Sequence, residues 1–564
     1  MADRENRIHP FIPKLVDQYE QRKVDRREFL RTSTLLGLSA ATAYGIVGRI
    51  DGPGFVPQAR AQDATPKKGG IVRVSIRIPD LSTPHIFSWV YDSNSVRQCN
   101  DYLTRTGIDN ITVPWLLENW EASDDLKTWT LRLRKDVKWS NGEPFVADHA
   151  IWNLKHMLDP ATGSSVLGLF SGFLVEDKDT GQKDANGNPV MTTDYWDANA
   201  IEKKDDFTIV LNGKGPQMAV PENLFHYPAF MLWPEDNGKW GVGSPGTGPF
   251  EPAVIETGKR AVFKAREGYW GEGPYLDELH FIDHGDDASA QVAAMASRQA
   301  DGMYEASVTQ YEVLKQMPHL ELYQVTSAQT GVARVHPIKP FDDARVRKAL
   351  RLAIDTPKLL QLAHLNIGAP GEHHHVAPVH PEYADIGLMQ QDIEGAKKLL
   401  ADAGYENGIE AEISCKQDPA WELIAVQAMT EMWKQAGINV KINVMPSSAY
   451  WDNWTKVPFG FTAWTHRPLG VMVLGLAYRT GVPWNESHWS NKKFDELLAV
   501  AEGILDVEER RQAMVPIEEL MLEEGPAVIP LWRGMFTFWD KKVGGFKQHP
   551  TSYIFGEELY LNEA

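Results

Sequence analysis

The stretch from Trp120 to Ala150, WEASDDLKTWTLRLRKDVKWSNGEPFVADHA, restricts this chain more than any other. Ser123-Asp124-Asp125 is a polar turn. Beyond it Trp129, Leu131 and Leu133 alternate with Thr130, Arg132 and Arg134, the period-two pattern of a strand with one buried face. Asn141-Gly142 supplies a tight turn that tolerates a left-handed backbone. After Glu143-Pro144, the residues Val146, Ala150, Ile151 and Leu154 fall on one helical face. Strand, turn and helix in such quick succession predict an α/β domain.

The same alternation of signals continues along the chain. Val72, Val74, Ile76 and Ile78 follow Lys67-Lys68-Gly69-Gly70 as an opening strand, and Asp177 to Pro189, rich in Asp, Lys and Gly, reads as an exposed loop. Val346, Ala349, Leu350 and Ala353 share a helical face. Asp392 caps a helix that holds Ile393, Ala396, Leu399 and Leu400 and ends at Gly404. Ala420 to Ala436 is a further helix, closed by Gly437, before the alternating strand Ile438, Val440, Ile442 and Val444. A long amphipathic helix follows Asp506, and Ala527 to Leu531 reads as a late strand. Helix and strand signals in both halves predict two α/β lobes.

Five landmarks occur in a family-like order. The Trp120–Ala150 stretch comes first, then Gly246-Thr247-Gly248-Pro249-Phe250, then Tyr269-Trp270 with Pro274-Tyr275-Leu276-Asp277-Glu278. Pro340-Phe341-Asp342-Asp343 with Val346-Arg347-Lys348-Ala349-Leu350 and Ala353-Ile354-Asp355 is the fourth, and Ala396, Leu399-Leu400 and Ala403-Gly404-Tyr405 the fifth. Together they resemble the extracytoplasmic solute-binding proteins of family 5, the peptide/nickel-type receptors of ABC importers. The resemblance implies an α/β, two-lobe, type II periplasmic-binding-protein-like fold with an enlarged first lobe and a hinge. It suggests lobe I over 62–327 and 531–564 and lobe II over 328–530. It also implies a monomer without cofactor that delivers a small polar solute, peptide-like, opine-like or related, to an ABC membrane permease.

The N-terminus reads as an export signal over 1–61. Asp25-Arg26-Arg27-Glu28-Phe29-Leu30-Arg31 resembles the twin-arginine pattern, with Arg26 and Arg27 as the pair. An apolar run from Leu35 to Val47 follows, too short for a bilayer span of roughly 20 residues. Ala59-Arg60-Ala61 then fits an A-x-A cleavage site. The expected location is the periplasm. A net charge of −19 argues against nucleic acid or anionic membrane as a partner. Two distant cysteines, Cys99 and Cys415, give no disulfide framework, metal spacing or redox motif.

Catalytic motifs are sparse. Gly241-Val242-Gly243-Ser244-Pro245-Gly246 matches G-x-G-x-x-G, but Thr-Gly-Pro-Phe follows it where a helix would be needed, so a rigid turn is the better reading. No nucleophile elbow, Walker loop or H-E-x-x-H occurs. His373, His374 and His375, with His380, are the one candidate metal cluster, and further ligands would have to converge on them. They also carry the alternative reading, an exported hydrolase acting through cleft carboxylates or this cluster.

The segment Phe461 to Trp489 is the expected reader of the ligand. Peptide-binding relatives have a W-x-x-D-x-x-DP pattern here, in which an Asp meets the peptide's α-amino group. This chain has Trp464, His466 and Arg467 instead. An arginine fork suits a carboxylate or phosphate, a tryptophan covers a ring or aliphatic stem, and an asparagine fixes one polar group. Trp464, His466, Arg467, Trp484 and Asn485 are therefore expected at the ligand, with Arg334 and His336 near the hinge as further candidates.

The export reading predicts a mature N-terminus at Gln62, checked by N-terminal sequencing of the exported protein. Replacing Arg26 and Arg27 with Lys should leave precursor in the cytoplasm. Normal export of that double variant would rule out the twin-arginine route.

Overall fold

The computed structural model describes residues 8–51, 66–183, 189–285 and 287–562. Its backbone is a 12-stranded mixed sheet running through both lobes. The strands Phe250–Glu256, Arg260–Ala265, Glu278–Ile282, Ile71–Ser75 and Gly302–Met303 form one side. Leu531–Asp540 and Leu320–Val335 stand in the middle, and Phe459–Trp464, Ile409–Lys416 and Ile438–Met445 form the other side. Ile71–Ser75 pairs in parallel with Glu278–Ile282, as Ile409–Lys416 does with Ile438–Met445.

The long strand Leu320–Val335 belongs to both lobes. Its first part, Leu320 to Thr326, pairs with Asp540 to Gly534, and its last part, Thr330 to Val335, pairs with Trp464 to Phe459. The register slips between Thr326 and Gln329. There Ser327 Oγ donates to the Arg533 carbonyl at 2.7 Å and the Ala328 N–H donates to His466 Nδ1 at 3.0 Å. A bulge that leaves backbone groups to side-chain partners is a place where a sheet can bend.

The stretch that opens the sequence folds as its pattern dictates. Thr128–Leu133 is a strand whose every second residue is buried, inside a four-stranded sheet with Leu117–Ala122, Thr208–Asn212 and Ile201–Asp205. Gly142 turns the chain at φ +92°, and Ala147–Leu158 is a helix that buries Ala150 and Leu154. Gly246 and Gly248 press against Cys99, where a β-carbon would come within 2.0 and 2.6 Å of its backbone, so the glycine run is a close-packed turn.

Two expectations change. The Asp177–Pro189 region is a β-hairpin, Val175–Lys183 against Pro189–Tyr195, with most of its described side chains in solvent, so no apolar alternation betrays it. The cores do not divide at 328 and 530. The second core gathers residues from 333–363, 396–438 and 459–461 with Val528 and Leu531, whereas the buried apolar residues from Leu469 to Ala501 and from Met514 to Met521 pack into the cluster that holds the first lobe's core. The helix Gly470–Ala477 is buried along its whole length, so it needs neighbours on every side, and helix Val166–Phe170 of the first lobe is one of them. The N-terminal stretch expected to be an export signal forms helices Phe11–Glu20, Arg26–Leu35 and Ala40–Asp51, which share a hydrophobic cluster with Ile111 and Val507 of the body. Ala59 and Ala61 lie outside the described residues.

Burial strips the solvent from many imidazoles. Desolvation pushes His85, His364, His373, His374 and His549 down to about 3, so they stay neutral in the fold. Unfolding would return each to an ordinary value of about 6.5. Below that pH the unfolded chain binds more protons, so stability rises with pH. It should be complete above pH ~6.5 and fall as the pH drops toward 3, by roughly 1 kcal/mol per histidine at pH 5.5. Urea melts between pH 7.5 and 4.5 check this. An unchanged midpoint would contradict the neutral burial of these rings.

Candidate ligand site

A pocket opens where the two lobes meet, and aromatic side chains dominate its wall. Strand Phe459–Trp464 delivers Trp464 at its end, paired opposite Thr330 of the shared strand. Helix Ser447–Trp451 ends in Trp451, with Trp454 just beyond. From the first lobe, Trp89 stands at the start of helix Val90–Val96, and Tyr227 lies in a buried turn. The rings form a chain. Trp89 meets Trp451 at 5.5 Å, Trp451 meets Trp454 at 5.7 Å, Trp454 meets Trp484 at 5.8 Å, and Trp484 meets both Trp464 at 5.8 Å and Tyr227 at 5.5 Å. The Trp464–Trp484 pair crosses at 85°, an edge-to-face geometry that aromatic quadrupoles favour. The cavity between them measures about 40 Å³, against the roughly 10–15 Å³ a single water needs, so the lobes must part to admit a ligand.

Beneath the rings lies a buried ion pair. Arg334 Nε donates to Glu486 Oε2 at 2.8 Å, and its other nitrogens donate to the Val457 and Trp454 carbonyls. Glu486 also accepts from Thr462 Oγ1 at 2.6 Å and from Trp464 Nε1 at 2.7 Å. Thr462 in turn shares a hydrogen bond with the Tyr450 hydroxyl at 2.7 Å. The pair thus fixes Trp464 by its indole N–H and Trp454 by its carbonyl. A buried pair stands only when its remaining donors and acceptors are met, as they are here.

The charged groups on the wall differ in one respect. Glu305 pairs with Arg533, and Glu422 pairs with Lys416. Arg467, which is 3% exposed, has no carboxylate partner among the described residues. Its Nη1 donates to the Thr465 and His466 carbonyls and the Thr465 hydroxyl, and its Nε has no partner. The guanidinium lies 4.9 Å from the Tyr227 ring centre and 6.0 Å from that of Trp484. His380 holds the loop beneath it. Its Nδ1 accepts the Ala377 N–H at 2.9 Å, so the protonated Nε2 donates to the Arg467 carbonyl at 3.2 Å. Burial pushes His380 down to about 4, consistent with that neutral tautomer.

Of the residues expected at the ligand, the pocket wall includes Trp464, Arg467 and Trp484. The other four lie off it. His466 accepts the Ala328 N–H and donates to Asn110 Oδ1 at 2.9 Å, bracing the hinge. Arg334 is the buried partner of Glu486. His336 meets the Glu486 carbonyl at 3.0 Å and stacks on His488 at 4.3 Å. Asn485 staples its own loop, donating to the Tyr478, Arg479 and Trp489 carbonyls and accepting from Ser487. The three consecutive histidines point to different partners. The ring Nδ1 atoms of His373 and His374 accept the Ile529 and Val376 N–H groups, and that of His375 bonds the Tyr478 hydroxyl. Among the described residues no group of three or more His, Cys, Asp or Glu is placed to hold a metal ion. The sequence reading missed Trp89, Tyr227, Trp451, Trp454 and both wall ion pairs. Trp451 and Trp454, three residues apart in a polar stretch, were the available signal.

The model of bacterial extracellular solute-binding proteins, family 5 Middle, matches residues 112–477. The chain is 25% identical over 472 residues to the dipeptide-binding protein DppE of Bacillus subtilis (strain 168), covering 80% of this chain and 84% of that protein. It is 24% identical over 509 residues to the periplasmic oligopeptide-binding protein OppA of Haemophilus influenzae, covering 86% and 92%. Among solved structures, the PBP AgaA in complex with agropinic acid from A. tumefacien R10 superposes with a TM-score of 0.76 at 20% identity, over 88% of this chain and 99% of that one. The periplasmic binding protein DppA from Helicobacter pylori in complex with peptide STSA does so with a TM-score of 0.74 at 20% identity, over the same shares. At that identity the likeness establishes the type II two-lobed fold. With the family model matched over well more than half of its length, the chain belongs to the bacterial extracellular solute-binding proteins of family 5.

Proposed function

We propose that this protein is the extracytoplasmic receptor of an ABC importer for a small solute that carries an anionic group and an apolar or ring-bearing body. The buried, acid-free Arg467 among the aromatic rings carries this reading. A guanidinium is a planar fork matched to a carboxylate or phosphate, and a contact of that kind is charge-assisted. Glu305 and Glu422 are engaged by Arg533 and Lys416, which leaves neither poised for a ligand's ammonium group. The wall therefore favours an acid over an unmodified peptide amine, and an opine-like acid over an ordinary dipeptide. AgaA, a structural neighbour, is in complex with agropinic acid.

The mechanism is closure of the two lobes about the shared strands, a hinge motion that completes the aromatic wall around the ligand. The closed form, as a single copy of the chain, hands the solute to the membrane permease. Export by the twin-arginine route with removal of residues 1–61 belongs to the same reading. A hydrolase working through His373, His374 and His375 gains no support, because those rings are buried, neutral and bonded to separate partners.

Mass spectrometry of the solute that copurifies with the receptor identifies the ligand, and titration calorimetry against a panel of opine acids, sugar acids and peptides ranks the classes. Arg467→Ala should weaken binding by roughly tenfold to a hundredfold, the value of a charge-assisted contact of ~1.5–3 kcal/mol. Arg467→Lys should recover only part of that. In the unliganded protein Arg467→Ala should leave the unfolding midpoint unchanged or higher, since the removed charge has no counter-ion to abandon. Unaltered affinity in a folded Arg467→Ala protein would take Arg467 out of the site. A fall in stability without loss of binding would make it a structural residue.

A further inference from the structure

The N-terminal segment Phe11–Asp51 meets the body through a charge network more specific than an export signal requires. Arg31 clasps Glu28, one turn before it on helix Arg26–Leu35, through Nε at 2.8 Å and Nη2 at 2.9 Å, and its Nη1 reaches Glu222 of the body at 3.1 Å. Thr32 Oγ1 donates to Glu28 at 2.9 Å. Arg510, on the long helix Val507–Glu524, approaches Glu28 at 3.5 Å and Glu382 at 4.0 Å. All five charged side chains are buried, between 0% and 5% exposed. Charges are kept out of water only where opposite charges and hydrogen bonds meet them, and here each side supplies what the other lacks. The segment brings Arg31 to the body's Glu222, and the body brings Arg510 to the segment's Glu28.

Apolar and backbone contacts follow the same line. Phe29, Leu30 and Leu36 pack in one cluster with Ile111 and Val507. The Trp120 indole N–H donates to the Leu35 carbonyl at 2.8 Å. Lys14 and Gln18 on the first helix reach Asp506, the residue that caps helix Val507–Glu524.

We propose that the body carries a docking groove for this N-terminal segment, floored by Glu222, Glu382, Arg510, Ile111 and Val507, and that the segment stays bound there non-covalently when the chain between them is cut. The second half of the arginine motif, Phe29, Leu30 and Arg31, is what the groove buries, while Arg27 stays exposed. A docked segment therefore cannot present its whole motif, and docking excludes recognition by an export receptor. This last step rests on the twin-arginine reading; the docking itself does not.

The test uses the full-length chain with residues 56–61 replaced by a site-specific protease sequence. After cleavage the N-terminal fragment should co-elute with the body on gel filtration. Separate elution overturns the groove. Arg31→Met in the same chain should weaken retention by about 100-fold or more, the usual effect of breaking a buried ion pair. Full retention by that variant removes the ionic network from the proposal. Hydrogen exchange on the uncut chain needs no variant: amides from Phe29 to Leu35 should exchange slowly, and fast exchange there also overturns docking. For masking, the body-side change Ile111→Ser should shorten the export half-time severalfold while ligand binding is kept. An unchanged half-time overturns masking. Normal export of the Arg26→Lys, Arg27→Lys precursor would instead remove the twin-arginine reading and leave the docking result standing.

Discussion

The pair between Arg334 and Glu486 holds the ligand wall together. One carboxylate meets a guanidinium, a threonine hydroxyl and the Trp464 indole, and the same guanidinium meets the carbonyls of Val457 and Trp454. Three chain segments with no local reason to approach one another are tied at a single buried point. Arg334 and Glu486 lie behind the pocket wall rather than on it, so the tie shapes the candidate pocket without lining it. Losing either partner would strand the other in a medium that cannot solvate it, which makes the arrangement intolerant of partial change.

A second constraint acts between the lobes. Leu320–Val335 is shared by both halves and slips register between Thr326 and Gln329, where His466 and Ser327 take over the bonding. His466 also reaches Asn110 of the first lobe, so the hinge is tied to the residue next to Arg467. Ligand wall and hinge are thereby contiguous. A change in how Arg467 sits is felt by the imidazole beside it and by the strand that bends.

Much of the fold was legible because its causes are local. Trp129, Leu131 and Leu133 show their strand by alternation, and Asp343, Asp392 and Asp506 each accept a backbone N–H at the helix start that their position suggests. The Val175–Tyr195 hairpin was not legible, since its described side chains mostly face water and backbone pairing alone defines it. Helix Gly470–Ala477 showed no face, and so gave no hint of which lobe would enclose it. In the site, Arg467, Trp464 and Trp484 stand out in one short segment. Arg334 was a ligand candidate for its place near the expected hinge, but its answering carboxylate lies 152 residues away, a distance over which spacing says nothing. Tyr227 and Trp89 reach the wall only because the lobes close on each other, and that too is tertiary information.

The uncompensated Arg467 has a consequence for transport economy. Arg467 sits among aromatic rings and donates to the Thr465 and His466 carbonyls, but no carboxylate among the described residues answers its charge. Ions buried without a partner are penalised by several kcal/mol. Under the proposed function an anionic solute makes closure electrically neutral and relieves that penalty. Under that proposal charge balance separates a loaded receptor from an empty one, and the proposed ligand contact also guards the importer against idle cycles.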